Sequence, residues 1–122
     1  MAGNFPWGPA SITANVQTAT PALTIQPADT QVTASVDLAP VAAGFDWDVI
    51  VQYRKSTSDP WVNFGGASGV TTGQPNHDRQ GNVVETGVHS GPFPDVGVSG
   101  RQLRALCTLG TSATLSGHIT VA

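Results

Sequence analysis

Two aspartates two positions apart, Asp46 and Asp48 in "FDWDVIVQYRKSTSDPWVNFGG", are the residues with the clearest opportunity for chemistry. On a strand such a pair shares one face with Cα atoms about 7 Å apart, and a cation could sit between the carboxylates. His77, Asp78 and His89 could supply further ligands, and His77 beside Asp78 could assist a nucleophile. The surrounding pattern argues against each use. Calcium prefers several oxygens, often on a D-x-D-x-D-G loop, which the chain lacks; no histidine pair has zinc spacing, and Cys107 has no second cysteine. There is no G-x-S-x-G elbow, and "NFGGASGVTTG" lacks the lysine and following helix of a phosphate loop. The reading is therefore a protein that is not an enzyme, with no catalytic residue, no metal ligand and no cofactor. Asp46 and Asp48 are expected on the solvated side of a strand.

The elements that must carry these residues follow from their alternation. "QVTASVDLA" sets Val32, Ala34, Val36 and Leu38 against Thr33, Ser35 and Asp37, the period-two pattern of a strand with one wet face. The stretch from Phe45 places Trp47, Val49, Val51 and Tyr53 on one face. Asp46, Asp48, Ile50, Gln52 and Arg54 take the other. "STSDP" is a turn of residues that bond their own backbone, closed by a proline, and "WVNF" returns as a short strand. Further strands are read in "SITANVQT" (11–18), "NVVETGVHS" (82–90), "RQLRALCTLG" and "SATLSGHITVA", with a long exposed loop over 65–80. Leu103, Ala105, Cys107 and Leu109 form an apolar face, where the thiol acts as a small hydrophobe. Ser116 and His118 point outward. About seven strands joined by turns make an all-β, antiparallel two-layer β-sandwich.

Composition narrows the function classes. Five Lys+Arg against eight Asp+Glu, a net charge of −3, give no basic stripe, so nucleic acid is not an expected partner. No apolar run approaches the ~20 residues of a membrane helix, and "MAGNFPWGPA" does not resemble a signal peptide. Fourteen glycines and nine prolines favour short strands and turns over helices. The 122 residues are read as an extended N-terminal arm, 1–10, and one sandwich domain, 11–122. Within the arm Phe5 and Trp7 need cover, since burying each is worth about 1.5–3 kcal/mol. Trp47, sharing a face with Val49 and Val51, is read as the central core residue opposite Val36 and Leu106 or Cys107. Phe5, Trp7, Trp61 and Phe64 are the candidate interface anchors.

"WDVIVQYRKSTSDPWVNF" resembles the third-strand pattern of immunoglobulin-like and fibronectin type III-like modules. "GRQLRALCTLGTSATLSGHITVA" resembles their closing hairpin, over a likeness spanning 31–122, without the paired cysteines of the antibody type. Small Thr/Ala/Val/Gly-rich, lysine-poor modules of this kind are similar to accessory virion proteins of tailed bacteriophages, among them head decoration proteins. That resemblance implies a structural protein on the capsid surface of a virion, a homo-oligomer-forming cement whose partners are the major capsid protein and copies of itself. The alternative is a carbohydrate- or receptor-binding module of a phage tail or head appendage. It would meet a glycan or host surface, with Trp61, Asn63 and Gln52 as its contact residues.

Overall fold

Alternation of apolar and polar residues becomes sheet wherever a strand can turn one face to a core, and the computed structural model shows where that happens. It describes residues 3–74, 76–77, 80, 83–84 and 86–122. Eleven strands occur among them: β1 (Gly3–Ile12), β2 (Thr18–Ala19), β3 (Leu23–Thr24), β4 (Gln31–Val36), β5 (Asp46–Arg54), β6 (Val62–Val70), β7 (Asn76–His77), β8 (Val83–Val84), β9 (Thr86–Pro92), β10 (Gln102–Leu109) and β11 (Ala113–Val121). Seven of these have six residues or more. There is no helix among the described residues.

Two antiparallel sheets form the expected sandwich. One has the order β1-β11-β4-β9; the other has β10-β5-β6, with β2 and β3 both pairing the outer edge of β10. The pair β7-β8 is separate. Taking β2 and β3 as one interrupted edge, successive strands of the two sheets lie in opposite layers except β5 and β6, which follow each other within one sheet. That is the strand order of a jelly roll. Immunoglobulin-like modules instead keep their last two strands in one sheet. Here β10 and β11 lie in opposite layers, so the closing hairpin expected over Gly100–Ala122 does not form.

The first ten residues do not stand apart from the domain. Gly3–Ile12 is an edge strand, antiparallel to β11, with Phe5 opposite Ile119 and Trp7 opposite Gly117. Pro6 and Pro9 are compatible with this because proline is tolerated on an edge, where no neighbour needs its missing N–H. The register shift between Trp7 and Ala10 spans the second proline. Trp7 is buried in the core. Its ring occupies the space over Gly117, where a Cβ would meet the indole at 2.6 Å, so β11 needs glycine there. Trp47, expected at the core's centre, is only half-buried and packs at the margin, against Gly69. Leu106 points to the opposite face from Cys107 and does not meet Trp47 across the layers.

Two other expectations change. Of the strand read over 11–18, Ser11 and Ile12 close β1 and a turn follows. Asn15 takes a left-handed conformation (φ 61°) and donates its N–H to the Leu109 carbonyl at 2.8 Å. Asparagine tolerates that region better than most residues, and the competing turn outweighs the alternation. The exposed loop read from Gly65 is, up to Val70, the second half of β6, whose small residues pair with β5 from Asp46 to Val51.

At one end of the sandwich the links β3–β4 and β9–β10 are closed by Arg101, which has no exposed surface. Its Nε donates to the Val98 carbonyl (3.2 Å) and Nη1 to Pro94 (3.0 Å). Nη2 meets the carbonyls of Gln26 (2.8 Å), Pro27 (3.1 Å) and Asp29 (3.0 Å). The Phe93 ring lies 5.5 Å from its Cζ. Burying a guanidinium costs several kcal/mol, and these acceptors and the ring offset that cost. Replacing Arg101 by Met strands several carbonyls at once, and each unsatisfied group costs about 1–3 kcal/mol. Arg101→Met is expected to lower the unfolding free energy by at least about 3 kcal/mol, read from the urea midpoint. A loss below about 1 kcal/mol would show that water replaces the guanidinium.

Candidate functional site

The outward face of the β10-β5-β6 sheet carries Asp46, Asp48, Gln52 and Asn63, and it is divided by charge. Asp46 is exposed and Asp48 half-buried on this face, the wet side predicted for them. Cross-strand pairing puts Ser68 and Thr108 on either side of Asp48, and Val70 beside Asp46. With Asn15 and Gly110 they line an open cleft of about 430 Å³. The turns at this end are tied to each other: Gly110 donates to the Asp46 carbonyl (2.7 Å), and Ala14 to Ser112 Oγ (3.0 Å). Thr71 Oγ1 bridges the Ala42 carbonyl and the Phe45 N–H. The cleft thus offers two carboxylates, an amide and two hydroxyls on a fixed backbone.

Eight residues further along β5 the sign reverses. Arg54 donates through Nε and Nη2 to Gln102 Oε1 (2.9 and 2.6 Å) and through Nη1 to the Thr57 carbonyl (3.4 Å). Arg104 donates through Nε to Gln52 Oε1 at 2.8 Å. Gln52 in turn donates to Asn63 Oδ1, and Gln102 to Thr24 Oγ1. Both guanidinium groups lie against the Trp61 ring, with Cζ at 4.2 Å for Arg54 and 4.5 Å for Arg104. Every acceptor of these two arginines is neutral, so their charges have no carboxylate partner among the described residues. Trp61 is half-buried and held to the sheet by cations. Gln52, expected to be solvated, is buried beneath this network.

The remaining candidates are spread apart. Trp7 belongs to the core, and Phe64 stacks on Phe93 (5.9 Å, 8°) and meets Tyr53 (6.1 Å), closing the β6–β9 side of the sandwich. Trp7 is thereby buried, whereas Phe64 is half-buried. Phe5 is half-buried and lines a groove of about 370 Å³ with Thr20, Pro21 and Leu23. Of the four anchors, Phe5, Trp61 and Phe64 keep some exposed surface. His118 sits on the outward face of β11. Asp78 lies outside the described residues, as do the side chains of His77 and His89. No group of three or more His, Cys, Asp or Glu side chains suited to a metal gathers among the described residues.

Comparison with protein-family models, with curated proteins and with solved structures finds no match. The two arginines against Trp61 are the grouping that sequence reasoning missed. The only signal was period: Gln52 and Arg54 alternate on β5, as Gln102 and Arg104 do on β10, and pairing of the two strands brings them together.

Two buried groups, Cys107 and Tyr53, have titrations shifted upward. Desolvation, with the Asp48 charge adding to it, pushes the Cys107 thiol up to about 11. Burial, the hydrogen bond to Asp95 (2.8 Å) and that carboxylate's charge push the Tyr53 hydroxyl up to about 12. Both groups are held neutral in the folded state, so their contribution is complete below the ordinary values of 9.0 and 10.0. It is lost as pH rises through the raised ones. The urea midpoint is therefore expected to fall steadily above about pH 9, and Cys107 to resist thiol reagents in native protein at neutral pH. Full reaction of the native thiol at pH 8, at the rate seen in urea, would contradict this burial.

Proposed function

We propose that this chain is a non-enzymatic structural protein of a virion, a decoration (cement) protein that binds and stabilises an assembled bacteriophage shell. The observation that carries the reading is the strand order. Jelly rolls build viral capsid domains as well as lectin domains, and the virion resemblance drawn from composition points the same way. The use of the polar side chains supports it. Arg101, Arg54, Arg104, Gln52, Gln102 and Tyr53 are committed to internal hydrogen bonds. Binding to the assembled shell and not to its free subunits stabilises the shell by mass action. With Gly3–Ile12 built into a sheet, the grip does not come from a loose arm, and shell contacts fall to the sheet faces and edges.

A second reading, a carbohydrate-binding module, is favoured by one observation: the cleft at Asp46 and Asp48. Carboxylates, Asn15, Ser68 and Thr108 are suited to sugar hydroxyls, which both donate and accept hydrogen bonds. The site then differs from the Trp61, Asn63 and Gln52 group, whose amides are already bonded to neighbours.

Mixing the purified chain with undecorated heads of tailed phages and sedimenting them tests the first reading. Saturable co-sedimentation at many copies per particle, with heads more resistant to heat, is expected. A chain that stays in the supernatant with every head tested, yet binds a glycan array and loses that binding in Asp46→Asn/Asp48→Asn, would overturn it in favour of the second.

A further inference from the structure

The outward face of the five-stranded sheet is complementary to itself. Along β5 the outward residues run Asp46, Asp48, Ile50, Gln52, Arg54, and along the antiparallel β10 Thr108, Leu106, Arg104, Gln102 lie beside them. One end carries two carboxylates with no side-chain partner among the described residues, in a recess. The other carries two guanidinium groups whose partners are neutral, gathered at Trp61. Between them are half-buried Ile50 and buried Leu106, directly paired, with Gly66 beyond. Beyond the cationic end, Lys55 and Asp59 on the β5–β6 turn offset one another, so they do not change the sign of the patch.

Two like charges brought to one indole repel each other, and so do two carboxylates one strand-repeat apart. A fold that leaves both pairs without counter-charges on a single face gains by bringing the pairs together. They cannot meet within one molecule, because Asp46 and Arg54 are about 27 Å apart along an extended strand. We infer that two copies of this chain associate face to face through the β10-β5-β6 sheet, about a two-fold axis near Ile50 and Leu106. The carboxylates of each copy then meet the Arg54–Trp61–Arg104 cluster of the other. An isologous contact of this kind uses each complementary pair twice. The Arg54–Trp61–Arg104 cluster of one copy then lies opposite the recess at Asp46 and Asp48 of the other.

This inference stands apart from the virion reading, since it requires no shell. Three long strands about 4.8 Å apart and about 27 Å long, with the short β2 and β3 at their edge, present a small face, so the dimer is weak and reversible. Its attraction is largely between partly exposed charges and is therefore sensitive to salt.

The test is sedimentation equilibrium of the full chain at high protein concentration. The wild type is expected to approach twice 12.5 kDa at low salt. Its dissociation constant should rise at least about tenfold as the screening length falls from about 30 Å at 0.01 M to about 3 Å at 1 M. Asp46→Lys/Asp48→Lys, at exposed or half-exposed positions, should be monomeric. Mixed with Arg54→Glu/Arg104→Glu, also monomeric alone, it should form a heterodimer. Because the arginine variant removes packing as well as charge, a cross-link provides a second readout. Ile50→Cys, next to the axis, should form a disulfide with its own mate under mild oxidation, and Thr114→Cys on β11 should not. A wild type that stays monomeric at low salt would overturn the inference. A dimer unaffected by the lysine changes would do so too, as would Thr114→Cys cross-linking as readily as Ile50→Cys.

Discussion

A charged side chain with no exposed surface is the constraint from which the rest of this structure follows. Arg101 cannot be buried unless its N–H groups find acceptors, and the acceptors are backbone carbonyls of two separate links, Gln26–Asp29 and Pro94–Val98. Those links each cross between layers, β3 to β4 and β9 to β10. Their joining therefore fixes the spacing of the two sheets at one end. Supporting contacts radiate from the same point: Gly97 donates to the Pro27 carbonyl, Gln26 to Asp29 Oδ2, and Phe93 lies between the guanidinium and the stacked ring of Phe64. Such an arrangement is strong evidence for a unique connectivity, because a slipped register would leave the charge unpaired.

With the layers fixed, β5 and β10 have one face turned to the core and the other to solvent, and the solvent face collects charge at its ends. This polarity is a consequence of pairing. The acidic end of β5 lies beside Thr108 and Ser68, which cannot neutralise it, and its basic end lies beside Gln102 and Arg104, which cannot either. The groups with shifted titrations among the described residues are a core thiol, Tyr53 and Asp29. The unpartnered charges sit on a broad face suited to meeting another surface.

Much of the sandwich was legible where alternation was clean. β4, β5, β10 and β11 were each marked by apolar residues two apart, and the placement of Asp46 and Asp48 on the wet side of β5 followed from the same count. β1 was not legible because two prolines and two glycines erase the alternation, although an edge strand accepts them. Asn15 misled in the opposite way, since a left-handed turn interrupts a passable strand pattern. Which strand pairs with which could not be read from local pattern at all. Arg101 looks from its neighbours like an exposed strand start, and only the crossing links reveal it as buried. Trp7 and Trp47 exchanged their expected roles for the same reason. Core depth depends on which strand lies opposite, and Gly117 leaves room for Trp7 while Trp47 lies toward the sheet's end.

The central claim is the strand order, since the burial of Arg101 and the charge pattern of the outer face both depend on it. Cross-strand nuclear Overhauser contacts between backbone protons test it most directly. The account predicts contacts linking β1 with β11, as at Phe5 and Ile119, and β5 with β10, as at Val49 and Cys107. Contacts pairing β10 with β11 as a hairpin, with Gly3–Ile12 unpaired, would contradict it.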